Sequence, residues 1–335
     1  MSRAGFTNPW LLLPLVGLAA GIALAVQRAR VPARADWQAA AEALRADLQP
    51  GDGVTWTPYW AGEARLVLHD LPAFHLPDPA EADLARYDRV WLMGAFGVDA
   101  DDLPADQVAS VDRRTFGRVT LDRVQVAGEK VYADLRADLE AVRVSRVRGA
   151  KTEACDFWDG IGWHCTVRRS PDDTRRCLAT PIAQQLRRDP RPGRRLIEPN
   201  PWARHCGLDA WINVSRDVRV IGEAPRRCVW YHPRAGETVR LEWPVDAPKA
   251  ERLVVDYGFT DPVTVARNTP SKVQPATLTA RRGDAALGAR VIDAAPGWHR
   301  WTAPLTGAGP VVLELTTTDH RDAHLCIDAT LRGPR

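Results

Sequence analysis

DVRVIGEAPRRCVWYHPRAGETVRLEWPVDAPKAERLVVDYGF, Asp217–Phe259, carries the most insistent pattern in the chain. Short runs rich in Val, Leu, Tyr and Trp alternate with Arg, Glu and Asp, and Pro, Gly or Asp separates each run from the next. Alternation with a period of two places successive side chains on opposite faces of a strand. The pattern continues through VTVARN (263–268), ATLTARR (276–282), ARVID (289–293), WHRWT (298–302), VVLELTT (311–317) and HLCIDATL (324–331). About ten short strands with turns at intervals of roughly 8–12 residues predict an antiparallel β-sandwich of jelly-roll kind over 213–335. Cys228 lies in an early strand and Cys326 in the last, and such strands sit side by side in many sandwiches, so these two cysteines are expected to be bonded.

Working back from the sandwich, 149–212 forms a Cys-rich linking region. The six cysteines are Cys155, Cys165, Cys177, Cys206, Cys228 and Cys326, an even number without a C-x-x-C pair. Cysteines of that kind behind an export-like segment read as disulfides formed in an oxidising compartment, although six allow 15 pairings. A zinc site would draw on Cys155, His164, Cys165, Cys177, His205 and Cys206, but their spacings are wide and irregular for a metal site. The region is rich in Pro, Arg, Asp and Trp, with one helix expected at Leu178–Arg188 and disulfides standing in for a core.

The segment 36–148 reads as a small α/β domain. Trp37, Ala41, Leu44 and Leu48 share one face of a helix over Asp36–Gln49, capped by Asp36 and ended by Pro50-Gly51. A short strand at Val54–Thr57, a helix near Gly62–His69 and the apolar run RVWLMGA at Arg89–Ala95 follow, the last suited to a strand buried on both faces of a parallel sheet. Residues 118–135 alternate around the turn Ala127–Lys130 and predict a hairpin, and Val142, Val144 and Val147 begin another strand. The glycines of PGDG (50–53) precede the first strand instead of following it, which argues against a dinucleotide site, and no cofactor is assigned.

Pro9–Val26 contains no charged residue over 18 positions. It reads as a single-pass anchor within 1–30; a signal peptide with a small-x-small site at Ala23–Ala25 is the alternative. Arg28, Arg30 and Arg34 outnumber Arg3, so flanking charge alone would keep the body inside, whereas the cysteines place it outside the cytoplasm. The fold class expected is therefore α+β: an N-terminal transmembrane helix, a small α/β domain, a Cys-rich segment and a C-terminal β-sandwich. Hydrophobic residues at 45% and charged residues at 26% match globular averages, so the body should pack normally. Only four of the 45 Lys and Arg residues are lysines, and without a recognition motif nucleic acid is excluded as a partner.

The motifs WQAAAEALRADLQPGDGVTWTPYW (37–60), LARYDRVWLMG (84–94), FGRVTLDRVQV (116–126), RRCVWYHP (226–233), Gly297-Trp298 and HLCIDA (324–329) together resemble the extracytoplasmic region that follows the last membrane span in bacterial glycosyltransferases of the dolichyl-phosphate mannosyltransferase-like class. That class carries its catalytic acids in a multi-span membrane part absent from this chain, so no catalytic residue is transferred. The resemblance implies a detached accessory domain whose terminal sandwich looks like galactose-binding modules.

Among local features, CDFWDGIGWHC (155–165) sets Trp158 and Trp163 with Asp156, Asp159 and His164 inside a loop that a disulfide could close. Aromatic faces stack on the C–H faces of sugar rings and carboxylates accept hydroxyl hydrogens, so these five are candidate ligand-binding residues; the bland alternative is a loop with its own Trp mini-core. Asp156 and Asp159 could also form the carboxylate pair of a glycosidase. Arginines between Arg168 and Arg204, including Arg175, Arg176, Arg187, Arg188, Arg194 and Arg195, offer an anion-binding face or simply a solvated surface. Trp298 and Trp301 are candidates at a sandwich edge, on opposite faces of their strand. No G-x-S-x-G elbow is present. The expectation is a non-catalytic bacterial inner-membrane module, its body in the periplasm or outside the cell, that binds a glycan or glycolipid or docks onto envelope glycan-assembly machinery through a membrane-protein partner. An enzyme acting on an envelope glycan and a purely structural envelope subunit are the alternatives.

Overall fold

The computed structural model describes residues 9–58, 60–75, 84–188, 201–209, 213–222, 224–261, 274–318 and 324–335. The chain divides into two compact units, Met1–Leu76 with Tyr87–Ala127, and Pro77–Arg86 with Gly128–Arg335.

In the first unit, α1 (Pro9–Arg30) is a helix of 22 residues, about 33 Å long, whose described side chains from Leu13 onward are exposed. Its length and composition fit a membrane span or a signal sequence. Helix α2 (Arg34–Asp47) buries Trp37, Ala40, Ala41 and Leu44. It begins two residues earlier than expected, because the Asp36 carboxylate accepts the Ala33 N–H from the third helical position. Strand β1 (Gly53–Thr57), helix α3 (Gly62–Val67) and strand β2 (Phe74–His75) lead to β3 (Arg89–Ala95), and β4 (Val108–Phe116) and β5 (Val119–Val126) complete a sheet of order β2-β1-β3-β5-β4. Strand β1 pairs parallel with both β2 and β3, while β5 runs antiparallel to β3 and β4. Trp56, Met93 and Leu121 pack with Trp37 and Leu44 on the helical face.

The hairpin expected at 118–135 is not formed. Strand β5 pairs with β3 and β4, and the next strand, β6 (Glu129–Asp134), belongs to the second unit, paired with the final strand of the chain. Alternation assigns faces to side chains; it does not choose a partner, and both strands find more buried neighbours than each other. Strand β4 escaped sequence reading because VASVDRRTF is a mostly exposed edge strand without a buried face to leave an apolar period.

The second unit is an antiparallel β-sandwich. It opens with β6, β7 (Arg143–Arg148), β8 (Lys151–Cys155), β9 (Phe157–Trp158) and β10 (Gly162–His164). Helices α4 (Pro171–Leu178), α5 (Pro181–Arg188) and α6 (Pro201–His205) follow, and then β11 (Asn213–Ile221), β12 (Ala224–Tyr231), β13 (Thr238–Trp243), β14 (Arg252–Phe259), β15 (Ala276–Arg282), β16 (Ala285–Ile292), β17 (His299–Pro304), β18 (Val311–Thr317) and β19 (Leu325–Pro334). One sheet has the order β17-β14-β19-β12-β11-β10-β9, with β6 also on β19, and the other β16-β15-β18-β13-β7-β8. Between them lies the main core, with Tyr231, Trp243, Phe259, Leu278, Leu313 and Ile327 among its members.

The sandwich thus starts near residue 128 and not at 213, and the α/β unit ends at 127 and not at 148. The reason is pairing at long range: β7 lies between β13 and β8, and β10 lies against β11. The Cys-rich region is accordingly divided, with β8 to β10 in the sheets and two helices, not one, at 171–188. Its helices have a small core of Phe157, Leu178, Ala183, Ala203, Cys206 and Leu208 in addition to a disulfide. The strand expected at VTVARN, and Arg194 and Arg195, lie outside the described residues, as do the side chains of Arg187 and Arg188.

Candidate functional site

All six cysteines are paired, as Cys155–Cys165, Cys177–Cys206 and Cys228–Cys326. The Cys155–Cys165 bond closes the aromatic loop, but the loop uses its polar groups internally. Asp159 and His164 are both buried, with His164 Nε2 2.5 Å from Asp159 Oδ2. The other Asp159 oxygen accepts the N–H groups of Ile161 and Gly162, at 2.8 and 2.9 Å. Asp156 is exposed, whereas Asp159 is buried. The Trp158 and Trp163 rings lie 5.3 Å apart, tilted at 49°, and pack against the main core, and the Trp163 indole N–H donates to the Leu139 carbonyl. The Arg216 guanidinium covers Trp158 at 5.5 Å. These residues join β9 to β10, and the Trp158 and Trp163 rings are half-buried there.

In the Cys-rich region Arg175 and Arg176 pair with Asp172 and Asp173 one helical turn back, and Arg175 lies over the Phe157 ring. Trp301 packs against the main core, whereas Trp298 lies on the opposite side of its sheet, against Ile221, Cys228, Trp230 and Cys326.

That outer face of the sheet carries the most chemically varied surface of the sandwich. Val229 and Tyr231 enter the core, so Cys228 and Trp230 face outward; Val214 enters the core, so Asn213, Ser215, Asp217 and Arg219 face outward. The Cys228–Cys326 bond ties β12 to β19 beneath this surface. Trp230 is fully buried, with the Arg219 guanidinium 4.9 Å above its ring and His232 stacked at 6.4 Å and 17°. The His232 and His324 rings stack at 4.7 Å and 16°, and both are half-buried. Asp217 pairs with Arg219 and steadies it. Gly258 permits the approach of Trp298, since a Cβ there would stand 2.5 Å from the Gly297 carbonyl oxygen. The Arg226 guanidinium lies 5.9 Å from the Trp298 ring.

Beside this ladder, the Asn213 carboxamide, the Ser215 hydroxyl and the Trp230 indole N–H are buried without a hydrogen-bond partner among the described residues. Such groups are uncommon, since an unmet buried donor or acceptor costs roughly 1–3 kcal/mol. Rings, cations, hydroxyl and carboxamide are thus gathered around one disulfide, an arrangement suited to holding a hydroxylated ring that bears a negative charge.

Arg219, Arg226, Trp230, His232 and His324 were not singled out in the sequence, although a signal was present. Positions 228, 230 and 232 share one parity, and so do 326 and 324. Once Cys228 and Cys326 are taken as bonded, that parity puts Trp230 and both histidines on the disulfide's face.

Farther along β19, Asp328 is buried against Arg86, whose guanidinium also bonds Asp134. Burial pushes the Asp328 carboxyl up to about 6; Arg86 opposes this and the carboxylate of Asp134 adds to it.

No family model matches the chain, and no curated protein matches it. Among solved structures, it is similar to the CBM51-2 and INT domains of Clostridium perfringens ZmpB in complex with GlcNAc, at 10% identity and a TM-score of 0.27, over 36% of this chain and 25% of that one. The match therefore spans about a quarter of that protein. It is also similar to the CBM51 of Clostridium perfringens GH95 in complex with methyl-galactose (10% identity, TM-score 0.23, 35% of this chain and 72% of that one). A family 29 module, the CBM29-2 K85A mutant, matches at 11% identity and a TM-score of 0.20, over 31% of this chain and 68% of that one. At these scores the likenesses assign no ligand to this chain.

Proposed function

We propose that this protein is a membrane-anchored bacterial envelope module whose body lies in the periplasm or outside the cell and binds carbohydrate without altering it. The observation that carries this reading is the outer-face ladder of Arg219, Trp230, His232 and His324, flanked by Trp298 and Arg226, with the unpartnered Asn213 and Ser215 beside it. Half-buried rings supply faces for sugar C–H groups, and guanidinium groups bond a carboxylate in two places at once, so an acidic sugar such as a uronate fits this surface. The apolar α1 supports the anchor, and the three disulfides support an oxidising compartment. Residence in the inner membrane and docking onto glycan-assembly machinery follow from the resemblance to the extracytoplasmic region of membrane glycosyltransferases, and belong to the same proposal.

The test is binding of glucuronate-containing oligosaccharides to the full chain in detergent or nanodiscs. Replacing both imidazoles, His232→Ala with His324→Ala, is expected to weaken binding at least tenfold with the fold retained. Equal binding by that variant, or none by the wild type to any acidic or neutral oligosaccharide, overturns the reading.

A further inference from the structure

The first unit presents two large aromatic rings to solvent at one end of its sheet. Trp60 is 60% exposed and Phe96 39% exposed, and their rings lie 5.0 Å apart at 41°. Trp60 follows the carboxyl end of β1, and Phe96 follows the carboxyl end of β3. These strands are parallel neighbours, and β2 pairs on the other side of β1, so the order is 2-1-3. The chain leaves β1 toward β2 and returns to β3 on the opposite flank, which makes the boundary between β1 and β3 the switch point of the sheet. Ligands of open α/β sheets bind in the crevice at the carboxyl ends of the strands at that point. The two exposed rings stand on the two sides of it.

The Phe96 backbone is held in a conformation that bulky residues avoid. Phe96 and Gly97 have φ of +59° and +82°, and the Val98 N–H donates to the Ala95 carbonyl at 3.1 Å, closing a four-residue turn. Two successive left-handed residues favour Asn-Gly or Gly-Gly, so a phenylalanine at the first position works against the turn's own preference. A phenylalanine there places a ring beside Trp60 that glycine would not supply.

The surroundings choose among ligands. The loop after β1 has no glycine-rich phosphate cradle, and the first turn of α3 carries an exposed carboxylate, Glu63, where a helix-terminus anion site would lie. Two adjacent exposed rings suit an uncharged, hydroxylated ring with an apolar C–H face. We infer that Trp60 and Phe96 form a second carbohydrate site, at the β1/β3 switch point of the α/β unit, that takes a neutral pyranose of a glycan chain, distinct from the sandwich surface with its guanidinium groups.

Full-length protein in nanodiscs of phosphatidylethanolamine and phosphatidylglycerol is titrated with maltotriose, cellotriose, chitotriose and galactobiose, and separately with a glucuronate-containing oligosaccharide. At least one neutral oligosaccharide is expected to bind, and Trp60→Ala and Phe96→Gly are each expected to weaken it at least tenfold. Phe96→Gly should keep or raise the melting temperature, so its loss of binding is not a loss of fold, and Trp60→Tyr should recover most of the affinity. The His232→Ala/His324→Ala variant should bind the neutral sugar normally. If that variant loses the acidic sugar while Trp60→Ala changes nothing, the sandwich reading survives and this one falls; the reverse pattern does the opposite. Failure to bind any neutral oligosaccharide overturns the inference. So does finding that Trp60→Ala and Phe96→Gly impair only vesicle association or self-association, because the rings would then serve a membrane or a second copy.

Discussion

Asp159 and His164 show how residue types suited to chemistry can be absorbed by structure. Both are buried and bonded to each other, and Asp159 also ties down the turn at Ile161 and Gly162. Removing one partner leaves the other buried without its bond, which costs roughly 1–3 kcal/mol. Asp159→Ala is therefore expected to lower the unfolding free energy by about that amount in urea titrations. Asp156→Ala, at an exposed position, should stay within about 0.5 kcal/mol of wild type. Neither substitution should change saccharide binding if the outer-face ladder is the site. At the same scale Trp37, on the buried face of α2, is 1% exposed, and Trp37→Ala should cost about 3–5 kcal/mol.

Among elements, β12 and β19 are joined by both backbone pairing and the Cys228–Cys326 bond, which closes a sequence separation of 98 residues. In the chain-entropy account a loop of that size gains about 4–5 kcal/mol from the cross-link, against about 3 for a loop of ~15 residues. Replacing both cysteines by Ala should therefore destabilise the sandwich more than replacing Cys155 and Cys165, whose separation is 10. Denaturation of the two double variants under non-reducing conditions checks the order. The histidine ladder stands over the long-range bond, so the Cys228–Cys326 variant should also lose saccharide affinity.

For the whole molecule, the buried carboxyl of Asp328 sets a pH dependence. Its folded value of about 6 is above the ordinary Asp value of about 4, so the folded chain binds the proton more tightly than the unfolded chain. The stability contributed by this proton is fully present below about pH 4 and is lost as pH rises through about 6. Arg86, Asp134, Arg136 and Asp256 are the charged groups that act on it, and Asp328→Asn leaves the Arg86 contact with Asp134 in place. Unfolding free energies compared between pH 5 and 7 should include a wild-type component that falls with rising pH and is missing in Asp328→Asn.

Several features of the molecule were legible without coordinates. The period of two after Asp217, the apolar run of β3, the face of α2 and the charge-free segment within α1 are local properties of consecutive residues. The bond between Cys228 and Cys326 was also expected, since an early strand and the last strand sit side by side in many sandwiches. What lay beyond local reading was partnership. That β6 joins β19 and not β5, that β7 to β10 belong to the sandwich sheets, and that Trp60 meets Phe96 at a sheet's end depend on contacts between distant segments. Alternation and apolarity determine which way a side chain points, because they act within one strand or one helical turn. Which rings and charges stand together is decided only when the competing strand pairings are resolved over the whole chain, each by the apolar area and hydrogen bonds it gains.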